Sequence, residues 1–263
     1  MRQRLVTVAN ALAVFALLLA LWQLVLWIFH VPPYMLPSPR AVARAAAARF
    51  PSLLNALSIT AAEAGGGLMA SIFVGVIVAL LFAQSRWVRR MLYPYTLLLQ
   101  TVPIVAVAPL ILMWVGAGVA AVTLIAFIIS LAPIIANTTQ GLISAEENLV
   151  HLFLMHNASA AQLLFKLRLP HAVPSLFVGI RIASGIAVIG AITGELYAGS
   201  SRVGEGGLGY SILYASSQLQ TDYLFALVLA ATVLGFGFLF LVMFLEWWFL
   251  HRWHESARAP ESE

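Results

Sequence analysis

The sequence predicts an all-α membrane protein with about six transmembrane helices. Only 9% of its 263 residues are charged, against about a quarter in a soluble globular domain. Mean hydropathy is +0.96. The apolar residues are gathered into runs of roughly 20, the length a helix needs to cross the hydrocarbon core of a bilayer, and no stretch has enough polar surface for a soluble domain.

The same composition excludes several classes. There are no cysteines, which rules out disulfides and thiolate metal sites. The net charge of +4 comes from arginines near the ends of apolar runs. That is a signal of membrane topology rather than of nucleic-acid binding, which needs clustered basic residues beside a groove or stacking platform.

The first apolar run, Val6–Phe29, follows Arg2 and Arg4 and is too long for a signal-peptide core, so it reads as a retained helix. Four prolines in His30–Pro39 break any helix. Arg40–Leu57 then alternates arginine with small apolar residues at helical spacing, as in a short interfacial helix. Further spans are expected at Ser58–Ala83, at Leu92–Val115 (interrupted by Pro103 and Pro109), and at Val119–Gln140, Ser175–Leu196 and Tyr223–Leu250. That makes six spans, or five if 92–140 folds irregularly. The chain divides into a first helix with its outer interfacial helix (1–56), a core of five helices (57–250) and a tail (251–263).

Lysine and arginine in the short loops set the orientation. With the N-terminus inside, the cytoplasmic pieces hold Arg2, Arg4, Arg86, Arg89, Arg90, Lys166, Arg168, Arg252 and Arg258. The outer pieces hold Arg40, Arg44, Arg49 and Arg202. Both termini are therefore expected in the cytoplasm.

The most unusual segment is cytoplasmic in this orientation. Residues 144–174 contain the only lysine, Lys166, within Phe-Lys-Leu-Arg-Leu-Pro-His-Ala-Val-Pro. Ser144 followed by Glu147 has the pattern of a capping box. Apolar residues recur at Leu149, Leu152 and Phe153 and again at Leu163, Leu164 and Leu167, which suits two short amphipathic helices with a turn at Asn157-Ala158-Ser159. Pro170 and Pro174 are expected to end the second helix. By pattern alone, a docking element and a solvated loop both remain open.

This segment resembles the cytoplasmic loop of bacterial ABC-importer permeases, whose pattern runs Glu-Ala-Ala, three residues, Gly, nine residues, then Ile-x-Leu-Pro. The family glycine falls on Asn157, and Leu167-Arg168-Leu169-Pro170 matches the end. The front departs, because Glu-Ala-Ala falls on His151-Leu152-Phe153. Asparagine is the next-best residue for a left-handed turn. Met35–Val42, Leu97–Gly118 and the stretch from Gly206 to the final helix resemble the nitrate, sulfonate and taurine group of these permeases. The resemblance implies an importer bundle working as a homodimer in a bacterial inner membrane, surrounded by lipid. It implies a coupling loop that docks on a cytoplasmic ATPase, an extracytoplasmic binding protein that delivers solute, and no cofactor on this chain, ATP being bound by the partner. The docking residues would be His151, Leu152, Phe153, Asn157, Ala158, Leu163, Leu164, Lys166, Leu167, Arg168, Leu169 and Pro170. That group carries sulfonates, nitrate and taurine, and also vitamin precursors such as thiamine pyrimidines and riboflavin.

Other constellations carry less. Gly204–Gly209 is a literal G-x-G-x-x-G, but an apolar span rather than a strand precedes it, so it reads as a flexible outer loop. Ser200-Ser201 with His251 or His254 is the only nucleophile–base candidate, and the topology puts its halves on opposite faces. A secondary transporter or channel is the alternative function; it would show ionisable relays at mid-membrane or internal repeats. Glu63, Arg181 and Glu195 are ionisable groups inside apolar runs. Such groups are costly and often line a path. Glu63 and Glu195, together with Pro103 and Pro109, are thus candidates for the translocation path. Hydration of the two acids at the outer interface is the other reading.

Overall fold

The computed structural model describes residues 2–198 and 206–251, and every regular element among them is helical. After α1 (Arg2–Phe29) the chain reverses at His30, whose φ is 48°, and passes through the proline-rich turn. The side chain of Ser38 then accepts the N–H of Ala41 at 3.2 Å and starts α2 (Pro39–Ala48), with proline at the position where a missing N–H costs nothing.

The interfacial helix is shorter than Arg40–Leu57. It stops at Ala48, and Phe50–Leu57 belongs to α3 (Phe50–Gln84). Pro51 sets the break: it lacks an N–H and its ring clashes with a preceding helical carbonyl, so the chain turns at Arg49 and restarts.

The third span is two helices rather than one kinked helix. α4 (Arg86–Leu98) begins at Ser85, whose side chain accepts the N–H of Val88 at 3.3 Å, and α5 (Ile104–Val115) begins at Pro103. Of the two expected breakers, only Pro103 marks an end. Pro109 lies inside α5, where its lost bond falls on the Val105 carbonyl in the first turn. Gly116 and Gly118 follow with φ of 92° and 141°, conformations only glycine adopts readily, and turn the chain into α6 (Val119–Ile143).

α7 (Glu147–Met155) and α8 (Ala160–Leu163) form the expected hairpin. The second helix does not end at Pro170 or Pro174. A π-helical turn, Leu164–Arg168, leads into α9 (Leu169–Ala198), so helix runs unbroken over Ala160–Ala198. Widening the turn before Pro170 makes room for its ring and its absent N–H. α10 (Leu208–Ser217) and α11 (Thr221–Leu250) complete the chain.

Among the described residues, four helices are long and apolar enough to cross a membrane: α3, α6, the continuous helix ending in α9, and α11. α5 and the Ala16–Phe29 part of α1 are shorter apolar helices. The core is the stack of α3, α6 and α9. Small residues let these backbones approach, which is how helices associate in lipid. A Cβ placed on Gly67 would lie 2.6 Å from that of Ala126, and one on Gly190 would lie 3.1 Å from the Ala126 backbone on its other side. Ser71 and Ser130 hydrogen-bond across the α3–α6 contact at 2.7 Å. An ion pair between Arg181 and Glu246 joins α9 to α11.

Candidate functional site

Two polar features stand at opposite ends of the bundle. The first is the α7–α8 hairpin. Its turn is tightly specified: the N–H of Asn157 bonds the Leu154 carbonyl and that of Ala158 bonds the Phe153 carbonyl, both at 3.0 Å. This is a Schellman ending, which needs a left-handed residue at Asn157, and φ there is 54°. The next helix starts on a reciprocal capping box. The Ser159 side chain accepts the Gln162 N–H at 3.2 Å, and the Gln162 side chain accepts the Ser159 N–H at 2.8 Å. The box is therefore at Ser159–Gln162 and not at Ser144–Glu147. Ser144 instead ends α6, its hydroxyl donating to the Gly141 carbonyl, while α7 starts at Glu146 with no side-chain cap. The sequence carried the signal, since Ser-Ala-Ala-Gln fits the same pattern.

The hairpin's side chains divide into two sets. Leu164 is 6% exposed and packs with Ala79, Ala83, Leu142 and Ala172. It anchors the hairpin to the bundle, so it does not belong to an outward face with Leu163 and Leu167, which are half-buried, as is Leu169. Arg168 also turns inward and donates to the Ala83 carbonyl at the end of α3. The outward set lies mainly on α7, which buries none of its residues. Leu149, Leu152, Leu154, Met155 (80% exposed) and Phe165 present apolar surface. His151, Asn157, Lys166 and Pro170 are exposed beside them. In the crook of the hairpin is a cavity of about 270 Å³ lined by Leu152, Phe153, His156, Ala158, Gln162 and Lys166.

The second feature lies where α9 ends and α10 begins. Glu63 and Glu195 are 4% and 3% exposed, so neither is a hydrated interfacial acid. Their carboxyl groups lie within hydrogen-bonding reach of each other. Thr60 donates its hydroxyl to Glu195 Oε1 at 2.6 Å and accepts the N–H of Leu208 at 2.8 Å. Glu195 Oε2 accepts the N–H of Gly209 at 2.6 Å. The two N–H groups belong to the first turn of α10, which has no partners of its own. Gly207 sits directly on the carboxylate, which a Cβ there would overlap, and a Cβ on Gly209 would overlap the Ile192 carbonyl oxygen and lie 2.8 Å from the Glu195 Cβ. The glycine-rich stretch is thus packed rather than loose from Gly206 onward. Gly204 and Glu205 lie outside the described residues, as do Ser200, Ser201, Arg202, His254 and the tail beyond His251. Pro103 and Pro109, both exposed on α5, stand outside this cluster.

A stack of long apolar helices, with a helical hairpin at one end and a buried polar seam at the other, is the architecture of a multi-pass membrane protein. Residues 71–254 match the family described as binding-protein-dependent transport system inner membrane component. The chain belongs to that family of permeases. It is 34% identical over 241 residues to a probable ABC transporter permease protein of Haemophilus influenzae, covering 92% of this chain and 95% of the relative. It is 32% identical to the formylaminopyrimidine transport permease protein ThiX of Halalkalibacterium halodurans, over 84% of this chain and 86% of the relative. It is also 35% identical to the riboflavin transport system permease protein RibX of Chloroflexus aurantiacus, over 73% and 72%. It is a multi-pass permease subunit of an importer.

Proposed function

We propose that two copies of this chain form the membrane path of an ATP-driven importer, with the α7–α8 hairpin of each docking on a cytoplasmic ATPase. The observation that carries this reading is the hairpin itself. Its turn is fixed by a Schellman ending and a capping box, it is pinned to the core by Leu164 and Arg168, and yet it exposes Leu152, Met155 and Phe165. A rigid projection with an apolar surface and one exposed lysine suits a protein groove with an acidic rim. Both termini then lie in the cytoplasm. The binding protein delivers solute at the α10 end, and ATP is bound and hydrolysed on the partner. Closure of the ATPases moves the two hairpins together and biases a two-state bundle between inward-facing and outward-facing forms. Glu63, Glu195 and the α5 face bearing Pro103 and Pro109 border the path. Co-expression with the cognate ATPase tests the docking: the subunits should co-purify, and solute uptake in vesicles should require ATP.

The solute we favour is a neutral heteroaromatic vitamin precursor. ThiX and RibX carry such names, and Arg181, the basic group within the apolar part of α9, is already paired with Glu246 rather than free for an anion. Calorimetry of the cognate binding protein should show tighter binding of an aminopyrimidine or flavin than of taurine or an alkyl sulfonate; the reverse order would reject this choice.

A further inference from the structure

We propose that Thr60 and Glu195 form a polar latch holding α10 closed as the gate at the end of the path remote from the hairpin. α10 is wedged against α3, α9 and α11, with Leu208 and Ala215 fully buried, so it plugs that end of the bundle. Its entering end is held by hydrogen bonds as well as by the packing of Leu208. Thr60 on α3 takes the N–H of Leu208, Glu195 on α9 takes that of Gly209, and Thr60 and Glu195 bond to each other. The glycines at 207 and 209 bring the backbone close enough for this.

The seam is incompletely satisfied. It holds two acids, and no cation among the described residues pairs with either. Glu63 Oε2 is buried with no partner. An unpartnered buried oxygen is costly, and a half-satisfied network binds less firmly than its bond count implies. When α10 lifts, water replaces every bond it loses and also reaches the orphaned oxygen. Because a hydrogen bond exchanged for water changes the free energy little, the gap between the closed and lifted positions is set mainly by the packing of Leu208 and Ala215. Such a gap lets remote events shift the population. Thr60 and Glu195 are therefore positioning residues that favour closure. This inference stands independently of where the ATPase docks.

The chain has no cysteine, so single thiols report accessibility cleanly. The full chain in native membranes would carry Ala215→Cys on α10, and in parallel Ser184→Cys, which is fully buried on α9. Labelling by a membrane-permeant maleimide is timed for each. Thr60→Val keeps shape but strands the Leu208 N–H, and Glu195→Gln loses one acceptor; each should speed labelling at position 215 about tenfold, the effect of stranding one buried donor. Thr60→Ser should label at the native rate. Glu63→Gln, whose amide can donate to Glu195, should label no faster than native. Position 184 should stay protected throughout. Equal rates at 215 in native and Thr60→Val chains would overturn the latch. So would Thr60→Ser matching Thr60→Val, which would make the role one of packing. Joint exposure of 215 and 184 would make the seam part of the core and not a gate.

Discussion

The carboxylate of Glu195 accepts the N–H of Gly209 at 2.6 Å, so a side chain near the far end of one long helix caps a short helix that follows it. Helix N-termini leave their first N–H groups without partners inside the helix, and here α9 and α3 supply them. The arrangement accounts for the glycines, since any side chain at position 207 would occupy the space of the carboxyl group.

Gly207→Ala should therefore separate α10 from Glu195. Overpacking of a tight contact costs about 1–3 kcal/mol, so thermal unfolding of the purified chain in detergent should shift down by several degrees. An unchanged midpoint would mean that the glycine–carboxylate contact is looser than described.

The α3–α6 contact makes a second test. At Gly67 an added Cβ meets Ala126 Cβ at 2.6 Å, the Phe127 N at 2.8 Å and the Thr123 carbonyl at 2.9 Å. Two of these are backbone and cannot swing aside. Gly67→Ala should lower stability by at least as much as Gly207→Ala, whereas Gly66→Ala, facing only the Thr123 side chain at 3.3 Å and beyond, should cost far less, because helix propensity favours alanine over glycine by about 1 kcal/mol.

Asn157 is in the left-handed region. Glycine reaches this conformation without strain, while a β-branched residue pays roughly 1–2 kcal/mol for it. Asn157→Gly should preserve the hairpin and uptake. Asn157→Val should unravel the end of α7, read as faster amide hydrogen exchange at Asn157 and Ala158.

The long helices were legible because their apolar runs are continuous and nearly all of each run is buried in protein or faces lipid. The turn at Asn157 was legible because few residues tolerate that geometry. The π turn was not, because two prolines ordinarily end a helix and nothing local shows that a widened turn will absorb Pro170. α10 was missed as well. Its ten residues are too short to announce a span, and the groups that hold it are 148 and 14 residues away in sequence. The inward turn of Leu164 was hidden for a similar reason: its neighbours Ala79 and Leu142 lie on α3 and α6, whereas the amphipathic helical pattern placed it with Leu163 and Leu167. The acids at 63 and 195 were visible as anomalies, but only the fold brings them together.

That inward turn divides the hairpin's leucines by role. Leu164→Ala removes a core anchor and should cost about 2–5 kcal/mol of stability, measured by unfolding of the isolated subunit. Leu152→Ala should leave that unfolding unchanged, because its side chain is half exposed.

The central claim is that the outward face of the hairpin grips an ATPase. The most direct measurement is quantitative co-purification of the cognate ATPase with the native chain and with a Leu152→Ala, Met155→Ala double variant whose unfolding midpoint matches the native one. Truncating central interface anchors commonly costs about 2 kcal/mol or more, so recovery of the ATPase should fall roughly tenfold or further, with Lys166→Ala at the rim losing much less. Full recovery of the ATPase with the double variant would contradict the account.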